Sequence, residues 1–147
     1  NAAQVLLRFE SIFGSGPGQL PAGIEIERAW LELNTTNSGD GAAVHRMLIP
    51  WTNRDTWNSF GLEGIEVAEE AAADPEAVVT GFGRPAEVDV GESMRLWAED
   101  PGSNQGWVFL PSGSDGWRFD SAQSDGDRPR LGSGNRHRPN ESVRVVV

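Results

Sequence analysis

The chain has no Cys, no Tyr and no Lys among its 147 residues. Without Cys there is no disulfide framework, no thiolate nucleophile and no Cys-ligated zinc, and folding is indifferent to redox compartment. Without Lys, every positive charge is Arg: twelve face 22 Asp and Glu, for a net charge of −10 and an isoelectric point near 4.5. A surface so acidic disfavours nucleic acid and anionic membrane, because phosphate binding needs a clustered positive field, and no nucleic-acid partner is expected. No apolar run approaches about 18 residues, so no membrane insertion is expected. No leader is read at the front, as expected of a mature secreted chain. The missing Tyr removes one of the two flat rings favoured on sugar-binding faces.

What is abundant is turn chemistry. Eighteen Gly and nine Pro punctuate short apolar runs, a composition suited to many strands joined by tight turns. Val5 to Glu10 alternates, with Val5, Leu7 and Phe9 on one side, and reads as a half-buried strand. Ile24 to Asn34 reads as the strongest strand, with a phase slip at Glu27-Arg28 that suggests a bulge. Further strands are expected at Val44 to Ile49, Val78 to Phe82 and Ala86 to Val90; Val67 to Ala73 reads as a helical turn or a strand. Trp51 to Phe60 reads as an ordered loop. Val90, Met94 and Trp97, four and three apart, form one buried stripe on a short helix ended by Pro101-Gly102. Gly106 to Pro111 and Trp117 to Asp120, joined through Asp115-Gly116, read as a hairpin. About eight short strands in a length that fits one domain point to an all-β, jelly-roll-like β-sandwich with one short helix.

Several segments together resemble the DNRLRE family of extracellular domains. They are Gln4 to Phe9, Leu20-Pro21 through Ala29 to Leu33, Thr56-Trp57-Asn58, Val88-Asp89-Val90, Trp97, Asn104 to Trp107, Asp115 to Phe119 and Arg128 to Leu131. The resemblance implies a β-jelly-roll of secreted multidomain proteins, some of whose relatives bind acidic polysaccharides such as alginate while others look purely structural. It also implies a strand ahead of Val5 to Glu10, where this sequence begins almost at that segment. The expected organisation is a sandwich over 1–131, a polar linker over 132–141 and a C-terminal strand over 142–147. Val143, Val145, Val146 and Val147 make that strand apolar and β-branched. It is expected to complete the sandwich at the edge formed by Val5, Leu7 and Phe9, either in its own domain or in a neighbour's. Donation to a neighbour is head-to-tail, does not close, and yields a fibre.

The remaining candidates are weighed against plainer roles. Trp107, Phe109, Trp117 and Phe119 make either a glycan platform or core, and core is the usual place for large aromatics. Trp51 and Trp57, near Asn53, Arg54, Asp55 and Asn58, are candidates to stack a pyranose ring or to plug the end of the barrel. Arg118, Arg128 and Arg130 are candidates for bidentate contacts to an acidic polysaccharide, or simply solvated surface. Asp115, Asp120, Asp125 and Asp127 lie in Ser- and Gly-rich loops that suit a structural calcium, without EF-hand spacing; no other cofactor is expected. His45 and His137 are the only imidazoles and carry no nucleophile or metal motif, and carboxylate pairs such as Glu69-Glu70 lie side by side rather than across a cleft, so no enzyme is expected. The sequence therefore predicts an extracellular or cell-surface module whose partner is either another copy of itself, in a homopolymer, or an extracellular polysaccharide.

Overall fold

The computed structural model describes residues 3–80, 82, 85–134 and, as backbone alone, 145–146. The chain forms an all-β sandwich with one α-helix. Its larger sheet contains β1 (Val5–Phe9), β4 (Ala42–Arg46), β5 (Ala77–Val79), β7 (Trp107–Pro111) and β10 (Val145–Val146), in the order β10-β1-β7-β4-β5. Facing it are a three-stranded sheet of β2 (Arg28–Leu33), β6 (Ala86–Asp89) and β9 (Arg130–Gly134), in the order β6-β2-β9, and a short pair of β3 (Thr35–Asn37) and β8 (Arg118–Phe119). Every ladder is antiparallel.

Alternation places the core. Leu7 and Phe9 of β1, Ala29, Leu31 and Leu33 of β2, and Ala86 and Val88 of β6 turn inward and are buried. The helix α1 (Gly91–Glu99) presents Met94 and Trp97 to the same core beside Val90, all without solvent exposure, as the four-and-three spacing predicts. Trp97 meets Trp107 with ring centroids 4.8 Å apart, and Phe9 meets Trp107 edge-on at 6.2 Å. Residues 47–73 then wrap the outer face of the larger sheet, where Met47, Trp51, Ile65 and Ala71 enclose Val108 in a second small core. Strand β7 is thus buried on both faces. Val67 to Ala73 is a turn tied down by isolated bridges from Ala71 to Val67 and Met47, and within Trp51 to Phe60 only Trp57–Phe60 coils, into a 3-10 turn.

Three sequence expectations need correction. Ile24 to Asn34 is not one bulged strand. The ladder begins at Arg28, because the Arg95 guanidinium takes the carbonyls of Ile26 and Glu27 at 2.9 and 2.8 Å and draws that backbone out of the sheet. Nor does Gly106 to Asp120 form a hairpin. Strand β7 pairs with β1 and β4, so neither of its edges is free, and β8 crosses to pair with β3. The polar linker does not start at Gly132, since β9 runs to Gly134 along β2. Gly132 makes room there for the Trp30 ring, which a Cβ at that position would meet at 2.4 Å and have to displace. Residues 135–144 and Val147 lie outside the described residues, and with them Val143, His137 and the rest of the expected linker.

Candidate functional site

The site is built on β1. Along one edge, Val5, Leu6 and Leu7 pair with Phe109, Val108 and Trp107 of β7. Along the other, β10 pairs Val145 with Phe9 and Val146 with Arg8. The expected acceptor edge and the expected C-terminal strand therefore meet within one chain, through only two described pairs. Among the described residues, nothing pairs with β1 opposite Val5 to Leu7 on that side.

Beside the two described pairs of β10, the sandwich is open at Val5. Residues directly across a ladder share a face, and Val5 lies opposite the core residue Phe109, so its side chain faces inward with Leu7 and Phe9. Yet Val5 is 39% exposed, against 1% for Leu7 and 0% for Phe9. A groove of about 840 Å³ begins there, between the inner side of β1, β4 and β7 and the β3–β8 pair. Val5, Leu7 and Phe109 form one wall, and Trp117, Phe119 and Pro129 line the rest. The opposing wall is tied together: Trp117 and Phe119 lie 4.9 Å apart, Phe119 is 5.4 Å from Phe109, and the Trp117 indole N–H donates to Thr35 Oγ1 at 3.0 Å. Among the lining residues the one charged side chain is Arg118.

The other candidates separate. Of the four aromatics, Trp107 and Phe109 are buried core, while Trp117 and Phe119 pack on the core from the groove side. Trp51 takes the plugging role, 5% exposed, with its indole N–H donating to the Gln105 carbonyl and the Arg8 guanidinium 4.9 Å over its ring. Trp57 is 43% exposed and borders, together with Trp51, Asn53 and Asp55, a second hollow of about 500 Å³, so the two candidate tryptophans meet at one site. Arg118 lines the first groove, whereas Arg128 donates to the Ser124 carbonyl at 3.0 Å and Arg130 sits 4.0 Å from Asp127. The three Arg do not line one groove. The four Asp are not gathered either: Asp120 accepts from Asn34 and Ser124, Asp127 faces Arg130, and among the described residues no three acidic or imidazole side chains converge on a metal position. His45 Nδ1 lies 2.7 Å from the Ala72 carbonyl, and its ring is buried. No helix among the described residues is long and apolar enough to cross a membrane.

One polar cluster has no local signature in the sequence. The Glu76 carboxylate, just ahead of β5, accepts from the Ser93 amide at 2.7 Å, from the Ser93 hydroxyl, and from Trp107 Nε1 at 3.1 Å. Burial holds its pKa above the usual glutamate value, opposed by the Ser93 and Trp107 hydrogen bonds. The cluster joins β5, the first turn of α1 and the central strand into one unit, and so fixes the frame that carries β1. Outside that frame, exposed Glu66 is also raised, first by a hydrogen bond with Glu63 and then by the charge of Glu69. Comparison of the chain with family models, with curated proteins and with solved structures found no match.

Proposed function

We propose that this chain is a non-catalytic structural module of a cell surface or extracellular matrix, which assembles with copies of itself by donating its C-terminal strand to the β1 edge of a neighbour. The observation that carries the reading is the edge itself. Among the described residues, strand β1 is held on its outer side by two pairs, at Arg8 and Phe9, and its inward-facing Val5 stands open to solvent. A half-covered apolar edge favours association with another strand, and the pairing that β10 makes with its own β1 is equally available to another chain's β1. Charge favours it too. Residues 135–147 carry Arg136, Arg138 and Arg144 against Glu141, a net +2, so the rest of a chain of net −10 carries −12.

The DNRLRE resemblance, with the jelly-roll course it implies, would suit an extracellular module, the all-β sandwich is compatible with it, and a Cys-free fold suits any redox compartment. Glycan binding is the second reading, and the exposed Trp57 ring beside Asn53 and Asp55 is the feature in its favour. The separated Arg side chains make an acidic polysaccharide the weaker ligand class. Light scattering after size exclusion tests assembly. A ladder of species from the full chain, absent when the chain is shortened to end at Gly134, supports strand donation; a full chain that stays monomeric across concentration contradicts it.

A further inference from the structure

We infer that the hollow bordered by Trp51 and Trp57 is a saccharide site that takes an uncharged pyranose chain and rejects uronate-rich ones. This rests on the glycan reading above, names the sugar class that reading leaves open, and is independent of how the chains assemble. The hollow measures about 500 Å³, within the range of about 300–1,000 Å³ usual for small-ligand sites.

Trp57 is the ring with area to offer. Its indole N–H donates to the Leu62 carbonyl at 3.1 Å. Its benzene end is seated against Gly64, where a Cβ would come within 2.8 Å. The turn that carries it is closed by Ser59 Oγ, which accepts from the Thr56 N–H at 3.0 Å. The side chain is thus held at both ends, yet the residue is 43% exposed. A ring ordered without being buried has already given up the rotamer freedom that binding would otherwise cost. Such a face suits the axial C–H groups of a pyranose, which meet the negative face of the ring. Trp51, 5% exposed and tied to the Gln105 carbonyl, supplies wall rather than platform.

The polar lining sets the sugar class. Among the described residues, the side-chain amides of Asn53 and Gln123 border the hollow and make no hydrogen bond. Asp55 accepts from the Thr52 N–H through Oδ2 at 2.7 Å and leaves Oδ1 without a partner. These groups offer the donors and acceptors that sugar hydroxyls need. Asp55 is the one charged side chain in the lining, and no Arg joins it, Arg54 included. A uronate carboxylate would meet Asp55 with no cation to balance it, in a chain of net charge −10. A neutral hexose or pentose chain meets no such repulsion.

Affinity electrophoresis tests the assignment, with the full chain run through blank gels and gels carrying one soluble polysaccharide each. The neutral probes are a β-glucan, a mannan, a xylan and a galactan; the acidic ones are alginate and polygalacturonate. Retardation by a neutral polymer and by neither acidic one is the expected result. Trp57→Ala should weaken that binding at least about tenfold. Asn53→Ala removes an amide that holds nothing in the fold and should weaken it about threefold or more. Circular dichroism checks that both variants are folded. Neutral binding that survives both substitutions would overturn this site while leaving glycan binding in place. Binding to the acidic polymers, alone or equally, would overturn the sugar class. No binding to any polymer would overturn the glycan reading as well.

Discussion

Val5 lies directly across the ladder from Phe109, yet Phe109 is 2% exposed and Val5 39%. Two residues on one face of one sheet so differ only if the layer that covers the first ends before the second. The account makes Val5 an interface residue and Leu7, one step further in, a core residue. Val5→Asp is expected to cost the monomer less than about 1 kcal/mol and to abolish large species. Leu7→Ala is expected to cost about 2–5 kcal/mol in the fold itself. Urea unfolding paired with light scattering on both variants checks the split; equal loss of stability in the two would contradict it.

Glu76 predicts a pH dependence with a definite sign. Its folded pKa is raised by burial, so the folded state holds this proton more tightly than the unfolded one. Ionising Glu76 therefore costs stability, and the cost grows as pH rises from about 4.3, the ordinary glutamate value, through its raised folded value. Below that window the cost is absent. Glu76→Gln cannot ionise, so its melting temperature relative to the unsubstituted chain should climb across the window and then level off. The charge of Glu92, which also raises the Glu76 pKa, is present in both proteins. A difference that is flat from pH 4 to about pH 8 would remove Glu76 from the account.

The two tryptophans in contact, Trp97 and Trp107, should respond unequally. Trp107 Nε1 donates to both Glu76 and Ser93 at 3.1 Å, whereas Trp97 Nε1 is buried without a hydrogen-bond partner among the described residues. Trp107→Phe withdraws the shared donor from a buried carboxylate and hydroxyl, and Trp97→Phe withdraws nothing polar. Denaturant unfolding should find Trp107→Phe the costlier by at least about 1 kcal/mol. The reverse order would mean that packing volume, not the hydrogen bonds, governs this contact.

Close backbone approach gives a fourth expectation. Gly106 has φ of +72°, and a Cβ on it would lie 2.2 Å from the Leu7 carbonyl oxygen of the neighbouring β1. Gly106→Ala should therefore cost more than about 1 kcal/mol, from both the left-handed backbone and the clash. Hydrogen exchange should show the loss first at β1, and unchanged protection there would argue that the strand sits elsewhere.

Local patterns were readable where one face of an element met one environment. The alternation of Leu7 and Phe9, the phase of Ala29, Leu31 and Leu33, and the stripe of Val90, Met94 and Trp97 each point to the surface they bury. Legibility fails where an element meets two layers or a distant partner. Trp107, Val108 and Phe109 are all buried because residues 47–73 cover the outer face of β7, so alternation vanishes. Asp115-Gly116 looks like a hairpin turn, but pairing depends on which edges are free, and β1 and β4 occupy both edges of β7. The Glu76 cluster and the groove draw on residues far apart in sequence, which only the fold brings together.

The central claim is that the C-terminal strand passes between chains, and light scattering after size exclusion tests it most directly. The full chain and a chain ending at Gly134 are compared across concentration, with circular dichroism confirming that both are folded. The account predicts concentration-dependent multiples of 15.9 kDa for the full chain and a monomer for the shortened one. A monomeric full chain, or a shortened chain that assembles equally well, would contradict it.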